Sequence, residues 1–190
     1  MKCSDLAFGF GDPRAPVRVR DQVAWYLAAN RGVTCDPACV VITNGTQQGL
    51  RLCAEALLHP GDTVWMEDPG YPATRTTLTA AGLDICPVPV DTEGLNVDLG
   101  AMRAPWARAV YVTPSHQFPS GVTLSMARRA ALVAWARAAN AWILEDDYDS
   151  EFRYAGPPLT ALAGLGGGDR VIYLGTFSKI LAPGLRLAYM

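Results

Sequence analysis

Lysine and histidine are almost missing from this sequence. Its 190 residues hold two of each, Lys2 and Lys179, His59 and His116. Two histidines so far apart exclude a histidine-rich metal centre, and no metal is expected. The five cysteines, Cys3, Cys35, Cys39, Cys53 and Cys86, are odd in number and follow neither a disulfide framework nor a zinc spacing. They read as reduced thiols of a cytoplasmic protein, in keeping with an N-terminal stretch that lacks the layout of an export signal. No apolar run approaches the roughly eighteen residues needed to cross a bilayer, so no membrane partner is expected. There is no excess of positive charge either. Sixteen basic against eighteen acidic residues give a net charge of −2. Binding of nucleic acid by this chain alone is therefore not expected.

What remains is ample apolar material. Half the residues are hydrophobic and 18% are charged, which excludes a disordered chain and suits a single domain over 1–190. Short apolar runs at 40–42, 64–66, 85–87, 109–112, 142–144, 171–174 and 187–189 are bounded by Gly, Pro, Asn or Asp, as buried strands are. Helical periods lie between some of them. Val19, Val23, Tyr26 and Leu27 mark one helix; Leu50, Cys53, Ala54, Leu57 and Leu58 mark another over 46–58. A third runs over 126–139, with Ser125 as its N-cap. Alternating strands and helices predict a three-layer α/β/α sandwich around a mostly parallel, seven-stranded sheet.

Open parallel sheets bind ligands beyond the carboxyl ends of their strands. Five predicted strands run directly into polar turns: Thr43-Asn44-Gly45-Thr46-Gln47, Glu67-Asp68-Pro69-Gly70-Tyr71, Thr113-Pro114-Ser115-His116, Glu145-Asp146-Asp147-Tyr148 and Gly175-Thr176-Phe177-Ser178-Lys179. In a parallel sheet these turns share one rim. Taken one at a time they are ordinary: a capped helix start, a loop aromatic, an acidic loop. A calcium loop beginning at Asp147 is excluded, because its sixth position would be Phe152 instead of Gly and its twelfth Pro158 instead of Glu. Gly164-Leu165-Gly166-Gly167-Gly168 precedes a strand, whereas a dinucleotide loop must follow one, so it reads as a turn.

Lys179 stands out because, apart from Lys2, positive charge is otherwise written as fourteen arginines. Arginine keeps its proton, whereas a lysine amine can become a neutral nucleophile. Taken together, the rim meets the demands of pyridoxal 5′-phosphate. Its aldehyde needs an amine, its phosphate a helix N-terminus, its ring face an aromatic, its pyridinium nitrogen a carboxylate, and its phenolic oxygen a donor.

The same segments resemble the large domain of the fold-type-I pyridoxal-phosphate enzymes, the class I/II aminotransferases. Within that class the sequence is similar to the aminoadipate/kynurenine aminotransferases and to the aminotransferase-like domains of MocR (GntR-type) transcription regulators. The match rests on Phe10-Gly11-Asp12-Pro13-Arg14, the stretch 43–50, Pro60-Gly61-Asp62 with 67–72, His116-Gln117-Phe118-Pro119-Ser120-Gly121, the acidic stretch 145–151, and 176–186. The His116 and Glu145 segments look more like the regulators.

The resemblance implies a catalytic Lys179 that forms an internal aldimine and moves the substrate's α-proton. Asp146 would pair with the pyridinium, Tyr148 would donate to the phenolic oxygen, and Tyr71 would stack on the ring. Gly45, Thr46, Gln47, Thr176, Ser178 and Arg186 would bind the phosphate. Phe118 stands where the family's enzymes usually have an asparagine donor, which leaves two alternatives: His116 or Gln117 compensates, or the cofactor's electronics differ. Phe10 replaces a tyrosine that reaches the neighbouring subunit. The resemblance further implies a homodimer, a small-molecule amino acid or amine as partner, and a smaller C-terminal domain that is missing here. Amino-group transfer is the first functional expectation. The alternatives are an effector-sensing domain of a regulator, whose DNA contacts would come from a separate N-terminal winged helix, and an inactive truncated fragment.

Overall fold

The computed structural model describes residues 12–152, 159–166 and 168–190. Lys2, Cys3, Phe10, Pro158 and Gly167 lie outside these. Helix α1 (Val17–Arg31) leads into strand β1 (Ile42–Asn44) and helix α2 (Thr46–Leu57). Strand β2 (Thr63–Asp68), helix α3 (Pro72–Ala80), the β3–β4 hairpin (Asp84–Asp91 and Gly94–Leu95) and helix α4 (Val97–Arg103) follow. Then come β5 (Ala109–Val112), α5 (Met126–Ala138), β6 (Trp142–Asp147), β7 (Val171–Thr176) and β8 (Leu187–Tyr189).

The strands form one sheet in the order β1-β8-β7-β6-β5-β2-β3-β4. It has eight strands where seven are predicted; the extra one, β4, is a two-residue return of β3, too short to show as an apolar run. Strands β3, β2, β5, β6 and β7 are mutually parallel, and β8 is antiparallel to both β7 and β1. Strand β1 therefore runs the same way as β7, and the five polar turns do share one rim. Strand β1 also begins two residues later than predicted, because Pro37–Cys39 coil into a short 3₁₀ turn capped by Asp36. Helices α3 and α4 carry no usable period: α3 reads Thr-Arg-Thr-Thr-Leu-Thr after its proline, and α4 has only seven residues. The glycine-rich stretch is a turn at Leu165 and Gly166, between two single-turn 3₁₀ helices.

Alternation along the strands sorts the core into two halves. On one face Val64, Met66, Ala109, Tyr111, Leu144 and Leu174 meet Leu50, Cys53 and Ala54 of α2 and Leu78 of α3. On the other, Trp65, Val110, Val112 and Ile143 meet Leu132, Val133 and Ala136 of α5 and Val97 of α4. Helix α1 covers the edge with Val23, Ala24 and Leu27 against Tyr173 and Tyr189. Ser125 caps α5, accepting the Arg128 amide hydrogen at 3.3 Å.

Arg129 of α5 is fully buried and donates to the carbonyls of Leu124 (2.9 Å), Thr160 (3.0 Å) and Pro114 (2.7 Å). One guanidinium thus ties three loops beneath the rim. Replacing it by leucine orphans three carbonyls in the interior, each costing on the order of 1 kcal/mol or more. Arg129→Leu is expected to lower stability by about 3 kcal/mol, read as a reduced urea midpoint.

Candidate functional site

Strand β1 is followed by Gly45, whose φ of +86° turns the chain directly into α2. The first amide N–H groups of a helix have no partner within it and carry the positive end of its dipole. Across the sheet, Pro183–Leu185 form a 3₁₀ turn that leaves Arg186 in the left-handed region at φ +51°. That turn lays the Arg186 guanidinium on Gly45: a Cβ there would fall 2.5 Å from Nη2. A helix start and a guanidinium in contact make an anion cradle. Two hydroxyls line the same pocket. Thr176 donates to Ser178 Oγ at 2.9 Å and accepts the Ser178 amide hydrogen at 3.1 Å.

This cradle opens on a pocket of about 350 Å³. All ten residues predicted from sequence line it: Gly45, Thr46, Gln47 and Tyr71 on one side of the chain order, and Asp146, Tyr148, Thr176, Ser178, Lys179 and Arg186 on the other. Lys179 and Arg186 are exposed and have no ion-pair partner among the described residues. Tyr71 packs edge-on against Phe118, ring centroids 5.2 Å apart. Tyr148 is half-buried, and burial with the nearby Asp149 pushes its hydroxyl up to about 12, so it stays a donor at neutral pH.

Asp146, next to last in β6, is buried. One carboxylate oxygen accepts the Tyr111 hydroxyl at 2.5 Å; the other, Oδ1, is buried with no hydrogen-bond partner among the described residues. Burial drives its pKa up to about 6, against the lowering effect of Tyr111 and with help from Asp147 and Asp149. Two further carboxyls lie buried below the rim. Glu67 accepts from the Thr113 hydroxyl (2.6 Å) and amide (3.1 Å), and Glu145 from the amides of Leu162 (2.8 Å) and Ala163 (3.0 Å). Burial pushes each up to about 7. Their folded values exceed their unfolded ones, so the folded chain binds more protons between about pH 4.5 and about pH 7. Stability is then full below that window and falls as pH rises through it. The thermal midpoint of the ligand-free chain is expected to drop between acidic and mildly basic pH.

A second cleft, of about 600 Å³, adjoins the first and shares Tyr148 and Lys179 with it. His116 lines this second cleft, its Nδ1 paired with Asp149 at 2.6 Å and its ring lying parallel to Tyr148. Gln117 is buried in the turn, its amide donating to the carbonyls of Pro69 (2.8 Å) and Phe118 (2.5 Å) and its oxygen accepting from Ser120. Neither side chain lines the first pocket, whereas Phe118 does. Tyr111 and Thr113 also line it and were missed by sequence reasoning. The available signal for Tyr111 was a hydroxyl inside the otherwise aliphatic strand Ala109–Val112, a group that must find a partner when buried.

Parallel strand tips bring an amine, a carboxylate and an anion cradle to one pocket of an α/β domain. The chain matches the family described as aminotransferase class I and II over residues 4–190, and it belongs to that family. Among curated proteins, the probable rhizopine catabolism regulatory protein MocR of Rhizobium meliloti is 42% identical over 91% of this chain and 35% of its own length. Aromatic-amino-acid aminotransferase 1 of Thermococcus litoralis is 32% identical over 97% of this chain and 46% of its own. The crystal structure of Pyrococcus horikoshii kynurenine aminotransferase, solved with PMP, superposes with a TM-score of 0.90 at 34% identity, covering 100% of this chain and 48% of that one. The chain thus spans less than half the length of these relatives. The family implies pyridoxal 5′-phosphate as cofactor. The residues present fit it: the cradle suits a phosphate, and the orphaned Asp146 Oδ1 suits a ring nitrogen that carries a proton.

Proposed function

We propose that residues 1–190 are a cytoplasmic cofactor-binding domain that holds pyridoxal 5′-phosphate through Lys179 and serves amino-group transfer from an amino acid or amine. The observation that carries this reading is the convergence of the unpaired Lys179 amine, the buried Asp146 carboxylate and the Gly45–Arg186 cradle on one pocket. When bound, the cofactor supplies an electrophilic carbonyl and an electron-withdrawing ring. The chain does the rest. The amides at the start of α2, the hydroxyls of Thr176 and Ser178 and the Arg186 fork bind phosphate oxygens. Asp146 would hold a proton on the ring nitrogen, Tyr148 would donate to the ring oxygen, and Tyr71 would cover one face. Lys179 Nζ would supply the amine that holds the cofactor's carbonyl and the base for a proton on the substrate's α-carbon. The adjoining cleft gives an amino compound its route to Lys179. Self-association into a homodimer belongs to the same reading.

A second reading, an effector-sensing domain that binds an amino compound without turnover, is supported by the 42% identity to MocR and by Phe118 in the pocket wall. Titrating the purified chain with pyridoxal 5′-phosphate tests both. A saturable absorbance band that inorganic phosphate weakens is expected, and amino acids should change that band. Keto acid released over repeated cycles favours transfer, and a reversible change without product favours sensing. A chain that gives no band at all rules out both.

A further inference from the structure

The carboxylate that faces the pocket does not hold itself. Asp146 has one hydrogen-bond donor among the described residues, the Tyr111 hydroxyl, and that bond uses Oδ2, leaving Oδ1 unpartnered in a fully buried position. The pairing is built into the sheet. Tyr111 lies opposite Leu144 in the parallel register of β5 and β6, so Asp146, two residues further along β6, stands on the same face one step nearer the rim. Both side chains line the cofactor pocket.

On the reading of the pocket given above, we infer that Tyr111 is a positioning residue for the cofactor: its hydroxyl holds one oxygen of Asp146 so that the other is presented to the protonated ring nitrogen. The surroundings make this donor consequential. Asp146 interacts with Glu67 from β2 and with Asp147, Tyr148 and Asp149 from its own chain segment, and the uncharged Gln47 from α2 lines the same pocket. Lys179 and Arg186 stand across the pocket. Arg31 is committed to Asp147, 2.6 Å away. Apart from Tyr111, then, the immediate neighbours mostly oppose a negative charge on Asp146. Without the hydroxyl, the carboxyl would keep its proton to higher pH and its free oxygen would lose its fixed direction.

The test compares the purified chain with Tyr111→Phe, measuring the affinity of two probes from about pH 6 to about pH 9. One probe is pyridoxal 5′-phosphate; the other is the isostere with C–H in place of the ring nitrogen. The variant is expected to bind pyridoxal 5′-phosphate about tenfold more weakly at neutral pH, the size of a lost hydrogen bond to a charged group. The deficit should shrink as pH rises, and binding of the isostere should hardly change. Equal weakening of both probes marks Tyr111 as a packing residue and overturns the inference, as does an unchanged profile. If Tyr111→Phe does not fold, 3-fluorotyrosine at position 111 supplies a more acidic donor on the same ring. It should move the acid limb of the affinity profile to lower pH, and an unmoved limb overturns the inference. A native chain that binds neither probe refutes the cofactor reading together with the inference. A native chain that prefers the ring nitrogen, beside an indifferent Tyr111→Phe, refutes the inference alone.

Discussion

Lys179→Ala is expected to abolish covalent capture of pyridoxal 5′-phosphate. Incubation of the unaltered chain with the cofactor, followed by borohydride reduction, should leave a stable pyridoxyl group on the peptide containing Lys179 and on no other. Composition makes the outcome sharp: arginine cannot give up its proton to act as nucleophile, and the sequence has only one other lysine, Lys2. Placement supports it too, since Lys179 lines both the cofactor pocket and the adjoining cleft. Non-covalent binding to the cradle of Lys179→Ala should survive in part, because Gly45, the α2 amides and Arg186 are untouched. Labelling of Lys2 alone in the unaltered chain, or undiminished labelling of the alanine variant, would remove Lys179 from the mechanism.

The second large effect is expected at Asp146. Asp146→Asn keeps the shape of the side chain and an oxygen to accept from Tyr111, and deletes the charge. Breaking a buried ion pair by removing one partner costs about 3–5 kcal/mol, so cofactor affinity at neutral pH should fall by about a hundredfold or more. The pH dependence carries its own signature. With the Asp146 pKa pushed up to about 6, the unaltered chain gains affinity for a protonated ring as pH rises through that value and the carboxyl ionises. The asparagine variant should lack that limb. Equal affinities of the two chains across the range would show that no cation sits against this carboxylate.

These expectations rest unequally on sequence and on packing. The rim turns could be read from the chain because each follows directly on a short apolar run, a local signal. The Ser125 cap and the heptad-like stripe of α2 are local in the same sense. Lys179 could be singled out by composition alone. Other features carried no local mark. The polar run of α3 reads as loop until Leu78 and Thr74 are seen packed on the sheet. Gln117 looked available as a donor to the pocket, yet its amide is taken up by the turn that carries it. His116, next to it, belongs to the neighbouring cleft.

Order and chemistry along the chain were enough to single out Lys179, Asp146, the polar turns of the rim and the α/β layers, since each depends on residues a few positions apart. Which groups actually meet was a matter of three-dimensional assembly. The β5–β6 register puts Tyr111 against Asp146, and the left-handed turn at Arg186 brings a guanidinium onto Gly45 from the far end of the sequence. Contacts of that kind join residues tens or more than a hundred positions apart. They are set by strand pairing and by the burial of both faces of the sheet, which no short stretch of sequence encodes.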